Sequence, residues 1–281
     1  MGELRIGACS WNYDSWVGLV YTQSQKRSVN YLPEYSKKFR TVEIDSWFYK
    51  IPETTEVLEY KASVDSDFVF TCKAPQAISL THSRPAGGVA RGKVGEPNPS
   101  FLNPELFKEF LGRVEPLLPQ LGAIMLEFEY LSKAKMASTQ EFIDRLGGFL
   151  SSIPKGVPVA IEPRNTDFLN RDYFKVLSEN NAAHVFSQKQ NLPNVYDVYA
   201  AHKDWVTGRS VIRLMGDDRK AIEDLTKEKW NQIVIDRPEI MSIVDMAKAL
   251  ALTNSMTFLN VNNHFQGSAP KTIERLLADI F

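Results

Sequence analysis

Eight short apolar runs alternate with amphipathic stretches along 281 residues, a pattern that limits the chain to a largely parallel sheet covered by helices. The runs at 5–10, 41–45, 68–73, 122–128, 157–162, 183–186, 210–215 and 256–262 are predicted strands. Between and after them, helices are predicted at 29–39, 53–62, 104–117, 139–150, 170–179, 227–252 with a break at Pro238, and 270–280. Pro104 and Pro270 stand at helix starts, where a missing N–H costs least. Eight such units favour an α/β fold, a single (β/α)8 TIM barrel over residues 1–281, irregular around the sixth and seventh units, where 187–208 shows no helix. A doubly wound open sheet is the rival. The segment 82–103, rich in Gly, Pro and Arg, reads as a long loop over the barrel mouth.

Charge narrows the function classes. Lys and Arg number 33 against 34 Asp and Glu, a formal net charge of -1, which argues against a polybasic nucleic-acid or membrane-surface binder. No apolar run approaches the roughly 18 residues that a membrane span requires. Glu3 and Arg5 flank the first run directly, so no secretory signal is expected, and a cytoplasmic location follows by default. Cys9 and Cys72 sit in separate apolar runs and are expected as reduced, buried thiols. No feature of the sequence sets an oligomeric state.

Side-chain parity locates the chemistry, because alternate residues of a barrel strand face the helices and the interior. Val42 and Ile44 oppose Thr41, Glu43 and Asp45; Ile124, Leu126 and Phe128 oppose Ala123, Met125, Glu127 and Glu129. Val157, Val159 and Ile161 oppose Ala160, Glu162 and Arg164; Ile212 and Leu214 oppose Val211 and Arg213; Leu259 and Val261 oppose Asn260 and Asn262. The third strand adds Thr71 and Lys73. The apolar set packs on helices, so the polar set points inward, gathered at the C-terminal strand ends where barrel active sites lie. Burying these charges is costly unless they are paired or used, so the cluster is either a working site or a self-neutralising ion-pair network.

The motifs that carry this pattern are Cys9-Ser10-Trp11-Asn12-Tyr13, Thr41-Val42-Glu43-Ile44-Asp45-Ser46-Trp47-Phe48-Tyr49, Lys73-Ala74-Pro75 and Thr81-His82-Ser83-Arg84. Later ones are Ile161-Glu162-Pro163-Arg164, Ile212-Arg213-Leu214-Met215-Gly216 and Asn262-Asn263-His264-Phe265-Gln266-Gly267. In this order, over almost the whole chain, they resemble the YecE-like family, domain-of-unknown-function family 72. That resemblance implies a TIM barrel and this site, without an established reaction. The chain departs from the family at Glu127-Phe128-Glu129-Tyr130, where members usually carry Gln-Leu-Pro-Pro, and around 166–168, where a Trp is common.

Glu43 and Glu162 are candidate general acids or bases, since a carboxylate in a partly dry pocket gains a raised pKa. Lys73 is a counter-ion or a reactive amine. Arg164 and Arg213 suit an anionic group, which a guanidinium fork grips bidentately. Trp11, Tyr13 and Tyr49 offer rings for stacking on a sugar or base, and His82 lies in the loop over the mouth. Asn262, Asn263 and His264 form either an anion site at a helix start or a hydrogen-bonded turn. The four histidines do not suit a histidine-rich metal centre, but Glu43, Glu127 and Glu162 suit one divalent cation. No nucleotide-cofactor motif appears. Three readings follow: acid/base chemistry (hydrolysis, lysis or isomerisation) on a small anionic or sugar-containing substrate; a nuclease-like or nucleic-acid-binding barrel with Arg84, Arg91 and Lys93 on phosphate; or a binding barrel without turnover.

Overall fold

A computed structural model describes residues 2–84 and 94–280. Eight strands, β1 (Glu3–Ala8), β2 (Thr41–Ile44), β3 (Val69–Lys73), β4 (Leu121–Glu127), β5 (Val159–Glu162), β6 (Ala183–Lys189), β7 (Arg209–Gly216) and β8 (Met256–Val261), form a closed barrel in sequence order. Every neighbouring pair is parallel, and β1 closes on β8 through six residue pairs, from Glu3 opposite Met256 to Ala8 opposite Val261. Closure excludes the open doubly wound sheet.

The outer layer consists of α1 (Leu32–Lys38), α2 (Thr54–Ala62), α3 (Gln76–Ser79), α4 (Pro104–Val114), α5 (Thr139–Ser152), α6 (Arg171–Glu179), α7 (Val195–His202), α8 (Arg219–Thr226), α9 (Ile240–Thr253), α10 (Asn263–Gln266) and α11 (Ala269–Ile280). Short polar side chains set several helix starts by accepting orphan amide hydrogens: Asn103 before α4, Ser138 before α5, Asn170 before α6 and Asn194 before α7. Buried stripes such as Phe107, Phe110 and Leu111 on α4 then pack on the outward strand residues.

Two expectations about helices need correction. The region 187–208 does contain a helix, α7, and β6 runs on to Lys189; the helix is short and rich in Val and Tyr, so its periodicity is weak and the Asn194 cap is its main signal. Of the helix expected at 227–252 with a break at Pro238, only the part beyond the break forms, as α9 from Ile240; the part before it is absent, and an unexpected α8 ends at Lys227 in a left-handed conformation (φ 51°). α8 carries its buried Ile222 and Thr226 on one face, set among the charged Arg219, Lys220, Glu223 and Asp224, so no apolar run marks it in the sequence.

Inside the barrel, Ala123, Met125, Ala160, Ala183, Val185, Val211 and Phe258 fill the N-terminal half. Gly122 is skipped in the pairing of β3 with β4, and a Cβ there would lie 1.9 Å from the Phe258 ring, so only glycine leaves that ring its space. This apolar plug closes the barrel below the charges. Among the described residues no helix is long and apolar enough to cross a membrane.

Candidate functional site

Arg213 on β7 is the hub. Its guanidinium meets Glu43 of β2 bidentately, Nε donating to Oε2 at 2.9 Å and Nη2 to Oε1 at 2.7 Å. Nη1 donates to Glu162 Oε2 of β5 at 2.6 Å and to Glu127 Oε2 of β4 at 3.1 Å. Arg164 follows β5 and bridges the same acids, with Nη1 2.8 Å from Glu162 Oε1 and Nη2 2.7 Å from Glu127 Oε1. Lys73 Nζ at the end of β3 lies 3.2 Å from Glu127 Oε2. Neutral groups finish the shell: Ser187 Oγ donates to Glu162 Oε1, and Asn260 Nδ2 donates to Thr71 Oγ1 at 2.9 Å and to Glu43 Oε2 at 3.3 Å. Three acids and three bases thus balance within one network.

Exposure divides this network into a floor and a rim. The side chains of Glu43, Glu162 and Arg213 are 0%, 1% and 1% accessible, whereas those of Lys73, Arg164 and Glu127 are 14%, 12% and 19% accessible. A ligand entering from the mouth therefore meets the rim first. Burial drives the Glu43 carboxyl above its ordinary pKa, although Arg213 and Lys73 pull the other way. Burial also opposes ionisation of Glu127, but Lys73, Arg164 and Arg213 together overcome it and hold that carboxyl well below the usual range.

Parity reasoning placed Asp45 in the cluster without giving it a role, and the structure sets it apart. It sits just beyond β2, largely buried, and burial raises its pKa against the attraction of Lys73 and the backbone N–H groups of Asp45 and Ser46. Among the described residues no Lys or Arg lies within ion-pair distance of it, unlike Glu43. It lines a cleft of about 510 Å³ together with Ser10, Trp11, Asn12, Lys50 and Tyr60.

Other expected residues lie around this cluster rather than in it. Trp11 is buried, donates from Nε1 to Ser28 O at 2.8 Å, and meets Tyr60 edge-on at 5.4 Å. Tyr13 packs on Trp16 at 4.8 Å, and Tyr49 is 54% exposed beside Phe48. The Phe48 ring in turn receives the Lys73 ammonium at 5.1 Å. His82 Nδ1 lies 3.1 Å from Thr81 Oγ1. Arg84 pairs with Glu129 at 2.7 Å, while Arg91 and Lys93 lie outside the described residues.

Asn262, Asn263 and His264 form a hydrogen-bonded turn. Asn262 Oδ1 accepts from the His264 amide at 2.9 Å, and Asn263 Oδ1 accepts from the Ala269 amide at 2.8 Å. Gly267, at φ 105°, ends α10, and the last helix opens two residues later. His264 turns outward, with Nε2 3.2 Å from Glu223 Oε1 and its ring on Trp230 at 4.8 Å. Glu43, Glu127 and Glu162 all converge on the Arg213 guanidinium, which stands where a shared cation would sit. Among the described residues no group of three or more His, Cys, Asp or Glu side chains is arranged to hold a metal ion. Cys9 and Cys72 are both free and buried.

A closed parallel barrel with charged residues at its C-terminal strand ends defines the protein as an α/β TIM barrel with a polar mouth. The family model described as "Protein of unknown function DUF72" matches residues 5–280, and the chain belongs to that family. Over 169 residues it is 26% identical to the UPF0759 protein YecE of Escherichia coli strain K12, covering 59% of this chain and 50% of that protein. The chain thus spans about half the length of the curated relatives it matches. A DUF72 family protein from Enterococcus faecalis V583 superposes with a TM-score of 0.69 at 17% identity, covering 99% of this chain and 95% of the other. Another from Thermotoga maritima MSB8 gives 0.68 at 17%, covering 98% and 99%. At these identities the structural likeness establishes the shared fold.

Proposed function

We propose that the protein is an enzyme that moves protons on a small anionic or sugar-containing substrate held at the C-terminal mouth, by hydrolysis, lysis or isomerisation. The observation that carries this reading is Asp45, a largely buried carboxylate with a raised pKa, bordering a cleft and lying outside the balanced network. A carboxyl with a raised pKa takes up a proton more readily than one locked to an arginine. Glu43 stands behind it, and each carboxylate disfavours the charge of the other. Lys73, close to Asp45 and partly accessible, supplies a positive charge for an oxyanion that develops as the proton moves. Glu43, Glu162 and Arg213 form the floor and hold the geometry of the rim.

The test is a turnover screen of phosphorylated and carboxylated sugars with the parent protein and Asp45→Asn. The expected result is one substrate class turned over by the parent, with the variant slower by about 10²- to 10⁴-fold while binding is retained. Undiminished turnover by Asp45→Asn overturns the assignment of Asp45. Binding without turnover in the parent selects the non-catalytic barrel.

A further inference from the structure

The far side of the mouth carries a positive charge that the network does not neutralise. Lys189 ends β6, where the pairing with β7 slips: Gln188 opposes Leu214, but Lys189 opposes Gly216. Such a bulge re-aims a side chain at a barrel rim. Lys189 lines a cleft of about 740 Å³ with Tyr130, Arg164, Thr166, Asp167 and Gln190. Partial burial and the neighbouring Arg164 lower its pKa, which marks a cation near another cation. Among the described residues no carboxylate lies within ion-pair distance of Lys189, and the Asp167 carboxylate in the same cleft accepts from Thr139 Oγ1 at 3.4 Å. Arg164 has five N–H donors, and its pairs with Glu127 and Glu162 leave part of that fork for a ligand.

The geometry points to an anion subsite between β5 and β6, in which Lys189 and Arg164 hold the phosphoryl or carboxylate group of the substrate. This inference rests on the reading of the mouth as a substrate site and gives that substrate a polarity. β2 and β6 are four strands apart in the closed order, so Asp45 and Lys189 stand on opposite sides of a barrel roughly 15 Å across. A substrate anchored by its anion at Lys189 reaches Asp45 only if it spans that width, which sets its length as well as its polarity. The exposed Tyr130 ring flanks the anchored end.

Inorganic phosphate and acetate, titrated separately against the folded protein at constant ionic strength and followed by backbone amide shifts, test the subsite without any turnover. Saturable shifts of the Thr166 and Asn191 amides are expected. Lys189→Ala weakens binding about tenfold, as loss of a charge-assisted contact does. Lys189→Arg retains it, and Asp45→Asn does not weaken it. Whichever anion binds more tightly identifies the group. The subsite is overturned if neither anion gives saturable shifts there, or if Lys189→Ala binds as the parent does. Because Lys189 is exposed, its substitution leaves the fold intact, and failure of the Asp45 turnover test leaves this result standing.

Discussion

Arg213 and Glu43, 170 residues apart in sequence, meet as a two-pronged ion pair at 2.9 and 2.7 Å with almost no access to solvent. The pair is sustained because Glu162, Glu127, Arg164 and Lys73 complete a neutral cluster around it; a lone pair at that depth would lose more in desolvation than it gains in attraction.

Glu162→Gln keeps the shape of the side chain but leaves Arg213 and Arg164 short of negative charge. A loss of about 3–5 kcal/mol at neutral pH is expected, the cost of removing one partner from a buried ion network. Urea titration of the variant beside the parent, at unchanged slope, reads it directly. A loss below about 1 kcal/mol would show that water already compensates these arginines.

Asp45→Asn is expected to act in the opposite direction. A carboxyl whose native pKa lies above its unfolded value destabilises the fold once pH exceeds the unfolded value, and asparagine removes that charge. A gain of about 0.5–2 kcal/mol at pH 7 is expected, as when strain at a functional site is relieved. A clear loss in thermal and urea unfolding would make Asp45 a structural counter-charge for Lys73.

Glu127 imposes an acid limit. Its native pKa is depressed, so its stabilisation is complete above the unfolded carboxylate value and is lost as pH falls through the native one. Unfolding free energies of parent and Glu127→Gln should therefore differ most near neutrality and converge below the ordinary carboxylate range. A gap that stays constant down to acid pH refutes the ionic role.

His184 contributes higher on the pH scale. It is buried, its Nδ1 lies 3.0 Å from the Tyr173 hydroxyl, and burial, with the neighbouring His202, lowers its pKa to about 3. The unfolded chain binds the proton first, so stability falls by up to about 1.4 kcal/mol per pH unit from about 6.5 downward. Histidine ring NMR should show this imidazole still neutral at pH 5, and a ring that titrates near 6.5 in the folded protein disproves it.

The alternation of strands with helices was legible because it is written within each segment, as was the inward parity of Glu43, Lys73, Glu127, Glu162 and Arg213, a period of two that needs no knowledge of neighbours. Ser187 and Lys189 share the parity of Ala183 and Val185 and were missed because the apolar run that marks β6 stops at Phe186. Only the closed barrel, with its register slips at Gly122 and Lys189, decided that Arg213 would take all three glutamates, that Asp45 would stand outside the network, and that Asn262 and Asn263 would serve as caps. The reason is physical: side-chain direction is a local property of the strand, whereas the distance between charges tens to hundreds of residues apart is set by how eight strands tilt, slip and close around a common core.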